Sequence, residues 1–106
     1  MSYRFMRVMV FFDLPSVTAS ERREYSRFRR NLIKSGFLMM QESVYTKIAL
    51  NQNVAATVCN EIKKIKPPSG TVQVLVVTEK QFSKIETIVG TIKSDVLDSD
   101  ERVVIL

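Results

Sequence analysis

Residues 4–13 read RFMRVMVFFD. In an extended chain, where side chains alternate, this run puts Met6, Val8, Val10 and Phe12 on one face. The opposite face carries Phe5, Arg7, Met9, Phe11 and Asp13. Both faces are largely apolar, so the segment reads as a buried strand covered on both sides. One face packs on helices. In a chain of 106 residues the other is left for something else, a second protomer being one option, because a small domain buries a smaller fraction of its surface. Asp13 then stands at the carboxyl end of a central strand, beside the loop 14–17, and ligand sites often lie at such ends in open sheets.

Working outward, Thr18-Ala19-Ser20-Glu21 has the spacing of a capping box and predicts a helix over 19–35, with Gly36 just past its end. Tyr25, Phe28 and Leu32 share its core-facing side. Arg23, Arg27, Arg30 and Lys34 follow i, i+4, i+7, i+11 spacing and form a stripe on the opposite side, with Arg22 and Arg29 flanking the apolar face. Residues 37–41 (FLMMQ) and 43–50 (SVYTKIAL) read as two strands joined by a short link, hence antiparallel. Asn51 caps a second helix over 52–66, with Val54, Val58, Ile62 and Ile65 as its apolar stripe. Pro67-Pro68-Ser69-Gly70 stops it, and 71–78 (TVQVLVVT), rich in β-branched residues, is the clearest strand.

Beyond this point alternatives stay open. Residues 79–84 fit one helical turn or two and 86–90 a short strand, while Phe82, Ile85, Val89 and Ile92 also fit one longer helix. Residues 94–101 form an acidic loop, and 102–106 (RVVIL) are apolar enough to need a place as an edge strand. The order β-α-β-β-α-β is the ferredoxin-like arrangement of an α+β domain, here with an additional C-terminal strand. We divide it into a core over 1–78 and an extension over 79–106, a single domain overall.

Composition narrows the chemistry. No histidine is present, which removes Ser-His and Cys-His nucleophilic sites and the usual zinc clusters. The single cysteine, Cys59, forms no intramolecular disulfide and fits a reducing, cytoplasmic setting; it reads as a small core residue. The apolar run 8–12 is too short for a signal-peptide core, and no stretch approaches the ~18 residues that span a bilayer. Residues 1–36 hold eight basic and three acidic side chains, and 37–106 hold eight of each, so the whole net charge of +5 lies in the first third. Seven of those eight cations are arginine, the side chain suited to bidentate phosphate contacts. The chain therefore points toward nucleic acid.

Two constellations carry candidate chemistry. Asp13 reads either as a strand-end cap or as a ligand for Mg²⁺, which takes oxygen donors and is often held by one or two carboxylates. If buried it needs a compensating partner, and Arg7 is one option. A two-fold axis bringing two Asp13 side chains together makes a metal site able to polarise a phosphodiester. The stripe of Arg23, Arg27, Arg30 and Lys34 reads either as a solvated face or, since only Glu24 lies near it, as a row that grips phosphates without reading bases. Asp95, Asp98, Asp100 and Glu101 lack the glycine and spacing of a calcium loop, and the aromatic signature of an RNA-recognition module is missing.

The run FFDLPSVTASERREYSRFRRNLIKSGFLMMQESVYTKI (residues 11–48) resembles the small universal CRISPR adaptation protein, the Cas-two family, in its type II-like members. The match rests on Phe11-Phe12-Asp13, the helix bearing Arg22, Arg23, Arg27, Arg29 and Arg30, then Gly36 and Gln41-Glu42-Ser43-Val44-Tyr45. Family members often carry Tyr where this chain has Phe12, and Leu14-Pro15 is a subgroup variant. The resemblance implies a ferredoxin-like homodimer with Asp13 near the interface and able to bind Mg²⁺, and a C-terminal strand that adds to the partner protomer's sheet. It also implies a metal-dependent endonuclease on RNA or DNA. In CRISPR adaptation, or spacer acquisition, it implies a dimer that bridges dimers of the larger integrase and supports duplex DNA.

Two functions follow as expectations. One is a Mg²⁺-dependent phosphodiesterase with Asp13 as catalytic metal ligand. The other, which we take as the principal role because one carboxylate per protomer makes a poor hydrolase, is a DNA-binding homodimer using Arg22, Arg23, Arg27, Arg30 and Lys34 and docking the integrase through its C-terminal region. A stand-alone, toxin-like metal-dependent endoribonuclease and a non-catalytic nucleic-acid-binding module of the same fold are the alternatives.

Overall fold

The computed structural model describes residues 5–90. Its elements run β1 (Met6–Asp13), α1 (Ala19–Lys34), β2 (Leu38–Gln41), β3 (Val44–Ala49), α2 (Gln52–Lys64), β4 (Thr71–Thr78) and α3 (Glu79–Phe82). The strands form one sheet in the order β2-β3-β1-β4. All neighbours are antiparallel, with Val10 opposite both Tyr45 and Val74. Each helix crosses over an intervening strand, α1 over β3 and α2 over β1, which is the ferredoxin-like topology expected from the element order.

Local chemistry sets the boundaries. The Thr18 side chain accepts from the Glu21 backbone N–H at 3.0 Å while the Glu21 carboxylate accepts from the Thr18 N–H at 3.0 Å, closing the capping box of α1. Asn51 caps α2 through the Val54 N–H at 2.9 Å, and Thr78 with Gln81 caps α3 in the same reciprocal way. Gly36 ends α1 at φ 95°, a left-handed conformation that costs glycine no steric strain.

The alternation of β1 then divides the molecule. Met6, Val8, Val10 and Phe12 are buried against Phe28 and Leu32 of α1 and Ala55, Val58 and Ile62 of α2. The Phe12 ring meets Phe28 edge-on with centroids 5.2 Å apart and stands 5.6 Å from Tyr45. The other face, built of Arg7, Met9 and Phe11 with their register partners, carries no long helix among the described residues. Leu38 (61% exposed), Ile48 (50%) and Leu75 (50%) lie bare on it. Among the described residues α3 leans over its far end, where the Phe82 ring sits 4.1 Å from the Arg7 guanidinium carbon.

Several expectations shift. The second helix ends at Lys64 instead of residue 66. Val54 is partly exposed, and Ala55 takes the buried place. Residues 86–90 form neither strand nor helix, and Ile88 and Val89 find no core to pack on among the described residues. The acidic loop 94–101, the terminal strand 102–106, and residues 91–106 of the extension lie outside the described residues.

Candidate functional site

Asp13 closes β1 opposite Thr71 of β4 and lies on the open face of the sheet, with its side chain exposed. Exposure removes the need for a compensating cation, and Arg7 does not supply one. At the other end of the strand the Arg7 guanidinium donates through Nε to the Glu79 carboxylate at 2.9 Å and through Nη1 to the Thr46 hydroxyl at 3.4 Å. Antiparallel pairing of β1 with β4 delivers Glu79 there, since β4 ends beside the start of β1. The Phe12 ring points to the core, as neighbours along a strand must alternate. A tyrosine here would carry its hydroxyl into the aromatic cluster, away from the Asp13 face.

Along α1 the expected cations divide into two groups. Arg23, Arg27, Arg30 and Lys34 are exposed, and none forms an ion pair among the described residues. The 16-residue helix holds them in one row, about 16 Å from Arg23 to Lys34 at the usual rise. Arg22, also exposed, is spent on its own helix end, donating to the Val17 carbonyl at 2.6 Å. Arg29 is half-buried and donates through Nε to the hydroxyl of fully buried Tyr45 at 2.8 Å. That hydrogen bond favours the charged form and holds the Arg29 pKa above its ordinary value.

Sequence reasoning missed a second group of cations. A groove of about 450 Å³ runs between α1 and the end of α2, and Arg27 shares it with Lys64 and Lys66. The Lys63-Lys64-x-Lys66 cluster was a visible signal, but nothing local tied it to the arginine row.

Comparison with known proteins supplies the deciding observation. The family model described as "CRISPR associated protein Cas2" matches residues 6–85. The chain belongs to the Cas2 family. It is 54% identical over 101 residues to a protein of Treponema denticola named CRISPR-associated endoribonuclease Cas2, covering 95% of this chain and 100% of that one. A protein of the same name from Lacticaseibacillus rhamnosus is 46% identical with the same coverage. A solved chain titled "Crystal structure of cas2" superposes with a TM-score of 0.57 at 22% identity, covering 87% of this chain and 94% of that one, which agrees with the ferredoxin-like fold.

For a member of the Cas2 family the donor set is sparse. Among the described residues no three His, Cys, Asp or Glu side chains gather into a metal-holding group. Asp13, the Mg²⁺ ligand expected from the sequence, therefore belongs to no such group among the described residues, and a hard dication would fit it only as one of one or two carboxylates completed by water and phosphate. Cys59 is half-buried against the core. No helix of the described residues is long and apolar enough to cross a membrane.

Proposed function

We propose that this Cas2 family chain acts in CRISPR spacer acquisition as a homodimer that grips duplex DNA and bridges dimers of the integrase. The observation that carries the reading is the row of Arg23, Arg27, Arg30 and Lys34, exposed on one rigid helix without an acidic partner among the described residues. Such a row attracts phosphate and reads no sequence, as suits a protein that handles DNA of any origin. The bare apolar face with Leu38, Ile48 and Leu75 supports self-association, because a second copy would remove those side chains from water. The integrase role rests on family membership.

A second activity, endonuclease, is favoured by the names of the relatives, which call them endoribonucleases; its dependence on a metal rests on the resemblance alone. In this chain Asp13 would hold Mg²⁺, one carboxylate from each protomer if the open faces meet, since it lies on that face. The ion, when bound, would supply positive charge to polarise the scissile phosphodiester. Family membership also weighs against the stand-alone toxin-like reading.

The test is the salt dependence of binding to a short blunt DNA duplex. Log affinity should fall steeply and linearly with log salt, and Arg23→Ala/Arg30→Ala should flatten the slope by about 2, at roughly 0.9 per phosphate contact. A salt-insensitive affinity, or a slope unchanged in that variant, overturns the reading.

A further inference from the structure

We infer that the groove between α1 and the end of α2 is a second phosphate site, gripping the backbone of duplex DNA already held on the α1 row; the inference rests on the nucleic-acid reading above. Arg27 and Asn31 reach the groove from α1, and Lys64 and Lys66 reach it from the end of α2. Three cations thus converge from elements far apart in sequence, with Glu24 as the single acid on the lining. Phe28 and Ile65 line it with hydrocarbon, which offers no competing hydrogen bonds.

A simpler role for these lysines is to complement the negative end of the α2 dipole. It accounts for Lys63 and Lys64 in the last helical turn. It does not account for Lys66, beyond the helix end, or for Arg27 on the other helix. Nor is Lys64 firmly committed elsewhere among the described residues. Its contact with Glu61 is 3.5 Å long, with 71% and 55% of the two side chains exposed, and exposed pairs of this kind hold little.

The groove also has a direction. It shares Glu24, Pro67 and Pro68 with a smaller cavity of about 90 Å³ lined by Leu14 and Pro15, the residues just after Asp13. Glu21 and Glu24 line that smaller cavity, so the cationic part ends before it and a phosphate sits between Arg27 and Lys64. A row on one helix leaves a duplex free to slide along it. A second anchor on another element fixes where the backbone lies and which end faces the Asp13 loop.

The experiment compares salt titrations of duplex DNA for the full chain and for Lys64→Ala/Lys66→Ala. The slope of log affinity against log salt should flatten by about 2, as for two lost phosphate contacts, with an unchanged melting curve. Glu24→Gln should tighten binding. Lys80→Ala/Lys84→Ala removes the same charge from exposed positions outside the groove and should change the slope by less than half as much. An equal loss in that control overturns the inference by making it a net-charge effect. An unchanged slope in the Lys64/Lys66 variant, with a flattened one in Arg23→Ala/Arg30→Ala, overturns the groove and leaves the row standing. Unchanged slopes in both overturn the groove and the row together. Loss confined to single-stranded RNA overturns the duplex assignment.

Discussion

Gly70, at φ +93°, packs so closely on the end of β1 that a Cβ built on it would fall 2.8 Å from the Asp13 carbonyl oxygen and 2.7 Å from Leu14 Cδ2. The start of β4 is thereby pressed against the backbone that presents Asp13. Gly70→Ala should cost about 1–3 kcal/mol from the left-handed backbone and should also displace Asp13, because a carbonyl oxygen cannot swing aside as a flexible side chain can. Gly90 at φ +122° meets nothing within 4 Å among the described residues, so against these Gly90→Ala carries only the backbone strain. Urea unfolding of both variants should rank Gly70→Ala as the more damaging.

Asp13 itself is exposed, so Asp13→Asn should leave stability within about 0.5 kcal/mol. Metal-dependent cleavage of labelled RNA should drop about 100-fold or more, a loss of roughly 2.7 kcal/mol in transition-state stabilisation. The check runs wild-type and variant side by side with Mg²⁺ and with EDTA. Cleavage equal in both proteins would move the activity away from Asp13.

What the sequence disclosed, and what it did not, divides by distance along the chain. The Thr18–Glu21 box, the Asn51 cap and the alternation over 6–13 are local patterns, and each appears where expected. The cation row was legible for the same reason, since helical spacing alone aligns Arg23, Arg27, Arg30 and Lys34. The partner of Arg7 was not legible. Asp13 lies on the same strand face and is near in sequence, whereas Glu79 is 72 positions away and arrives only through the β1–β4 register. The meeting of Arg27 with Lys64 and Lys66 likewise depends on how α1 and α2 pack. Residues 86–90 failed for a different reason: apolar spacing suggested regular structure, but periodicity has little force where no described element is packed against it.

The bare sheet face makes a direct prediction about self-association. Leu75 is half exposed and stands opposite Met9 on that face. Leu75→Arg should leave the monomer folded, since the side chain reaches water, yet place a charge that a second copy would have to desolvate. Sedimentation equilibrium should find the wild-type chain dimeric and the variant shifted to monomer at the same concentration. A wild-type monomer would remove the paired Asp13 site along with the dimer.

Glu21 links pH to the start of α1. Its carboxylate accepts the backbone N–H groups of Thr18 at 3.0 Å and Val17 at 2.9 Å. Those bonds favour the charged form and hold its pKa below the ordinary 4.5. Near pH 4.5 the folded chain therefore binds fewer protons at this site than the unfolded chain does. The stabilisation is fully present above that pH and is lost as pH falls through the lowered folded value. Hydrogen exchange at the Val17 and Thr18 amides should accelerate, relative to the rest of α1, as pH is lowered through that window. Glu21→Gln keeps an acceptor oxygen but carries no titrating charge, so its relative exchange should stay flat over the same range. A parallel acceleration in the variant would assign the fraying to another group.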